Sequence, residues 1–142
     1  MNARNRWILS AIVGVYLVVS SVHGVTHFAV PVGLTPFQWA FILIVASTAP
    51  VVALGLLWTG RELIGLPLLV VSMVGGFVFG VYFHFLVPNP DNVGHVHGPW
   101  ALEFEVTAVL IAVTSFAGAI FGIWLWLRDP TERDEPLETP TG

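Results

Sequence analysis

Four nearly uninterrupted apolar runs, over residues 7–30, 37–58, 63–87 and 101–127, limit what this chain can fold into. Each reaches the roughly 20 residues that a helix needs to cross about 30 Å of hydrocarbon. The runs are continuously apolar and lack the period-2 alternation of short barrel strands, which selects helices over a barrel. At 142 residues, 56% of them hydrophobic and 10% charged, the chain leaves no room for a soluble domain beside the helices. The expected fold is all-α: an integral membrane four-helix bundle, multi-pass in the cell membrane, with the lipid bilayer as its solvent.

Charge orients the bundle. The five basic residues are all arginines: Arg4 and Arg6 precede the first run, Arg61 joins the second to the third, and Arg128 and Arg133 follow the fourth. The other two loops carry none, a positive-inside pattern that predicts both termini in the cytoplasm. Tryptophans fall at the same boundaries, with Trp7, Trp58, Trp124 and Trp126 toward the arginines and Trp39 and Trp100 toward the opposite face. None lies mid-membrane, as an aromatic belt requires. A basic start before an apolar run resembles a signal peptide, yet the run outlasts the usual core length and no A-x-A site follows, so a retained first helix is expected. Beyond residue 127 the composition turns to proline and acid. Residues 128–142 are expected to form a disordered acidic cytoplasmic tail. With no basic patch, nucleic-acid binding is excluded.

Inside the runs, Pro50 interrupts the second and predicts a kink, with Ser47 and Thr48 near enough to cover the freed carbonyls. Gly76-x-x-x-Gly80 and Gly118-x-x-x-Gly122 mark faces where helices approach closely, within the chain or in a homo-oligomer or larger membrane complex. His84 continues the face of the first motif.

The polar groups that carry chemistry gather toward the end away from the arginines. Tyr16, Ser20, His23 and His27 recur at spacings of four, three and four, which sets them on one stripe of the first helix. His23 and His27, one turn apart, have the spacing of two imidazoles that bind one metal. His84 closes the third helix. The loop after it, within the stretch 80–105, holds Asp91, His95 and His97, and Glu103 and Glu105 open the fourth helix. Of the two glutamates, Glu103 is expected to face the bundle, because Thr107 and Thr114 continue its stripe.

These residues predict a His and Glu transition-metal site at the extracytoplasmic end. Its candidate ligands are His23, His27 and His84, completed from above by Glu103, His95 or His97. Cysteine is absent, so nitrogen and oxygen must do the binding, which suits Zn(II), Cu(II) or Fe(II) and disfavours Cu(I). A second reading is a b-type cytochrome, with two of His23, His27 and His84 as axial ligands to haem b. A third is a non-catalytic accessory subunit or scaffold, in which the histidines are polar fastenings. A transporter is a fourth, without the inverted repeat or mid-plane polar site that such folds commonly show. No phosphate loop or nucleophile motif of a soluble enzyme is present, and whether the chain is an enzyme stays open.

Overall fold

The structure, a computed structural model, describes residues 1–30 and 32–128, so the expected tail lies almost wholly outside the described residues. The described chain is helical. Four helices, α1 (Ala3–Ala29), α2 (Pro36–Trp58), α3 (Glu62–Leu86) and α4 (Ala101–Leu127), are each long and apolar enough to cross a membrane. Helix α1 begins a turn before its apolar run, because Asn2 caps it: its side-chain carbonyl accepts from the Asn5 amide at 2.9 Å.

The connections follow from local chemistry. In the turn 59–61, Gly60 takes a φ of +77°, where a side chain would be strained, and the Arg61 amide folds back to the Leu56 carbonyl at 2.8 Å. Helix α2 starts in a capping box, in which the Thr35 hydroxyl accepts from the Gln38 amide and the Gln38 side chain accepts from the Thr35 amide. The disturbance expected at Pro50 takes the form of π-helical turns over Ile42–Thr48, just before it, where the Thr48 hydroxyl donates to the Leu43 carbonyl at 2.7 Å. A second π-helical stretch, Tyr82–Leu86, ends α3 and carries His84.

Helix α4 packs on both α1 and α3, and α2 packs on α3. Glycine makes the α3–α4 seam close. A Cβ on Gly118 would fall 2.5 Å from Met73 Cε, and one on Gly122 would fall 2.9 Å from Val70 Cγ2. The Gly118-x-x-x-Gly122 face is therefore filled by α3 of the same chain. Gly76 likewise faces α1, with the Tyr16 hydroxyl 3.0 Å from where its Cβ would be. Leu9, Val13, Tyr16, Leu57, Leu69 and Met73 form the core.

Helix α1 meets α2 mainly through the segment 49–58, near the arginines. There Trp7 and Trp58 stack edge to face at 5.1 Å, and the Trp58 indole donates to the Ser10 hydroxyl at 3.0 Å. Arg6 pairs with Glu62 at 3.2 Å at the same end. Toward the histidines the two helices part. The outward surface of all four helices is apolar, with Phe28, Leu63, Val18 and Leu102 each at least 65% exposed, as lipid-facing positions would be.

Candidate metal centre

The spacing of four on α1 puts the His23 and His27 rings one above the other, 4.8 Å apart and edge to face. His84, from the wide turn that ends α3, brings its ring to 4.8 Å from His23 and 6.4 Å from His27. Phe104, fully buried in the first turn of α4, packs against all three. The fourth polar member is Asp91.

Asp91 arrives by turn chemistry. After α3 the sequence Pro-Asn-Pro-Asp-Asn bends the chain back over the bundle, and asparagine side chains hold the bend. Asn89 donates to the Phe83 and Val87 carbonyls at 2.8 and 2.7 Å, while its side-chain oxygen accepts from the Asp91 amide at 2.7 Å. Asn92 donates to the Val87 carbonyl at 3.1 Å. Val96, Val30 and Phe104 close an apolar lid above. Asp91 is 3% exposed. Burial raises its pKa to about 7, because a carboxylate loses more hydration than a carboxylic acid.

Hydrogen bonding determines which ring atoms face the centre. The Thr107 hydroxyl gives its proton to the Glu103 carbonyl at 2.6 Å, so toward His23 it accepts, and His23 Nδ1 at 2.8 Å is the donor. His84 Nδ1 lies 3.0 Å from the Asp91 backbone carbonyl, which can only accept. Both rings thus carry their proton on Nδ1, and His23 presents Nε2 to the cluster as a lone pair, the arrangement that supporting partners impose on metal-bound histidine. His23 Nε2 is 3.2 Å from His27 Nε2, which is in turn 3.4 Å from Asp91 Oδ1. Asp91 Oδ1 is also 3.5 Å from His84 Nδ1, yet it makes no hydrogen bond, and neither does His27 Nδ1.

One proton on His27 Nε2 would serve either His23 or Asp91. A divalent cation would serve all three. The ligand atoms of His23, His27 and Asp91 lie within 4.8 Å of one another. Two nitrogens bound tetrahedrally to zinc at about 2.0–2.1 Å stand roughly 3.3 Å apart, close to the spacing found here.

The other expected ligands sit elsewhere. His84 joins the cluster, but its Nδ1 is committed to the Asp91 carbonyl, so it holds the loop that delivers the carboxylate. His95 is exposed and bonds the Asn89 carbonyl at 2.9 Å, and His97 is exposed beyond it. Glu103 and Glu105 are both exposed, and Phe104 between them points inward. The stripe expected to carry Glu103 inward does bury Thr107, but Glu103 lies at its margin in the first turn, where the helix amino terminus favours a solvated carboxylate.

A haem does not fit these rings. An axial pair must leave the plane between its members to the macrocycle, and the widest pair, His27 and His84, has the His23 ring beside both and Asp91 Oδ1 beside both facing nitrogens. No known protein family, no characterised protein and no solved structure matches this chain, so the chemistry of the site carries the functional argument.

The cluster forms one wall of a cavity of about 210 Å³ between α1, α2 and α3. Residues at that wall are His23, His27, His84 and Asp91, and the cavity runs on past Ser20 to Tyr16 and Gly76.

Proposed function

We propose that this chain is a small multi-pass protein of the cell membrane that binds a divalent transition metal through His23, His27 and Asp91. One observation carries the reading: the ring proton of His23 is spent on Thr107, so its Nε2, the Nε2 of His27 and a buried carboxylate oxygen without a hydrogen bond meet within 4.8 Å, where a single His27 proton could answer only one of the other two. Two imidazoles and a carboxylate without sulfur suit Zn(II), Fe(II) or Cu(II). Three protein ligands beside a cavity leave a coordination position for water or substrate, the pattern of catalytic rather than structural sites. When bound, such an ion polarises an oxygen ligand or lowers the pKa of a bound water. His84 positions Asp91, Thr107 orients His23, and the lid of Val30, Val96 and Phe104 keeps bulk water out.

The arginine distribution supports an orientation with both termini in the cytoplasm and the metal centre toward the outer face. Purification in mild detergent followed by elemental mass spectrometry tests the reading. About one transition-metal ion per chain is expected, with His23→Ala and Asp91→Ala devoid of metal and His95→Ala and His97→Ala still loaded. A metal-free wild type after reconstitution with each of the three ions, or an intense Soret band, would overturn it.

A further inference from the structure

The cavity beside the metal centre has two unlike sides. Along the α1 stripe lie His27, whose Nδ1 is buried without a hydrogen bond, and two turns below it Ser20, whose Oγ lies beside the Tyr16 hydroxyl and is buried without a well-formed bond. The facing lining is mostly apolar or small, with Ile42, Phe79 and Ile111 as walls and Gly24, Ala46, Gly76 and Gly80 leaving the width. Its rim includes the exposed Ser21 on α1 and Trp39 on α2, on either side of the gap that opens where those helices part. In a bilayer that gap faces lipid. The π-helical turns of α2 and α3 flank the same space, so both departures from regular helix border it.

Charge narrows what could enter. The chain has no lysine, its arginines lie at the far end or beyond the described residues, and the cavity wall holds no cation to pair with a phosphate or carboxylate head. The wall's one acid is the metal-facing Asp91. What it does hold are hydroxyls and an imidazole nitrogen, which pair with neutral oxygen groups.

We infer that the cavity between α1 and α2 binds a membrane-soluble, uncharged amphiphile with a hydroxyl or carbonyl head, which enters sideways from the lipid and lays its head against His27 and the metal centre. The assignment of the head to a metal rests on the function proposed above; the route and the selectivity for a neutral head rest on the cavity itself. Gly24 offers the test. It lines the cavity, and a Cβ there would meet nothing within 4 Å, so Gly24→Leu fills the space without pressing on a neighbour.

The experiment reconstitutes the full chain in phosphatidylcholine vesicles with dodecanol carrying a diazirine mid-chain, illuminates it, and maps the adducts by mass spectrometry. Saturable labelling of 17–24 and 42–47 is expected. Unlabelled dodecanol should compete, dodecanoate at pH 8 should not, and Gly24→Leu should reduce labelling to background. Metal content is measured on the same samples, so that loss of the metal reading shows separately from loss of this one. Labelling that dodecanoate suppresses as well as dodecanol, that survives Gly24→Leu in full, or that spreads evenly over the lipid-facing helix surfaces overturns the inference, whatever the metal content.

Discussion

The α3–α4 seam and the α1–α2 gap are built from the same kinds of residue to opposite ends. In the seam, Gly118 and Gly122 remove side chains so that Met73 and Val70 can fill the space completely. In the gap, Gly24 and Ala46 remove side chains and nothing fills the space. Small residues therefore do not by themselves mean close packing; what matters is whether the opposite helix supplies a knob. Polar groups divide the same way. Ser115, buried against the seam side of α4, satisfies itself on the Ile111 carbonyl at 2.6 Å, whereas Ser20, His27 and Asp91 beside the gap keep buried atoms without hydrogen bonds. Stability resides in the first region, and unspent binding capacity resides in the second.

The largest effect should come from breaking the polar side of that contrast. Replacing both His23 and His27 with Ala removes two of the three proposed ligands and should abolish metal binding in elemental analysis. The helices should persist, since neither ring belongs to the main apolar core. Unchanged metal content in the double variant would assign the ion to other residues.

The seam should respond in the reverse sense. Gly122→Leu places a branched side chain where Val70 already sits 2.9 Å from the first added carbon, and Val70 has no flexible end to withdraw. Overpacking of this kind costs about 1–3 kcal/mol, so thermal unfolding in detergent should shift down while metal stoichiometry of the folded fraction stays the same. Gly118→Ala is the milder companion, because the crowded atom there is the mobile end of Met73.

Much of this was legible from residue order, and what was not has a physical reason. Apolar length alone implies four helices, and the spacing of Tyr16, Ser20, His23 and His27 places the α1 histidines of the cluster, because helical period converts sequence distance into direction. Asp91 stood in view as one acid in a loop, but no period governs a loop. Its position depends on Asn89 and Asn92 folding the chain back onto α3. The usable signal was the Pro-Asn-Pro-Asp-Asn run itself, turn-forming residues that follow closely on a histidine. Glu103 was misplaced for a different reason: a first helical turn has only one neighbour along the axis, so a stripe drawn from Thr107 and Thr114 leaves its phase uncertain, and Phe104 took the inward position.

Asp91→Asn sharpens the contrast by separating function from stability in one residue. With its pKa raised to about 7, the carboxyl is neutral in the folded chain at pH 5 and charged at pH 8, while in the unfolded chain it is charged at both. The unfolded state therefore releases the proton first, and the contribution of Asp91 itself to the stability of the metal-free protein falls as pH rises from about 4 to about 7, by an amount on the order of a few kcal/mol. The amide carries no charge and should remove that slope. Metal-free Asp91→Asn is expected to unfold at a higher temperature than the metal-free wild type at pH 8, with the gap narrowing toward pH 5, and to bind no metal. A variant less stable than the wild type at pH 8 would mean that the carboxylate is a structural anchor.

The smallest effect is the most specific. Thr107→Val keeps the shape of the residue beside His23 but removes the oxygen that accepts its Nδ1 proton at 2.8 Å. The ring then keeps only the Phe104 backbone carbonyl as an acceptor for that N–H or shifts its proton to Nε2, and the second choice takes away the lone pair proposed to bind the metal. Loss of a supporting partner of this kind weakens metal binding by about 10–100-fold, which a competition titration with a zinc chelator resolves. Thr107→Ser restores the acceptor without the methyl group and should recover most of the affinity. Because Val and Thr fill nearly the same volume, a packing role for Thr107 would leave Val benign and make Ser the damaging change, so the order of the two variants decides whether the hydroxyl orients His23 or merely fills space.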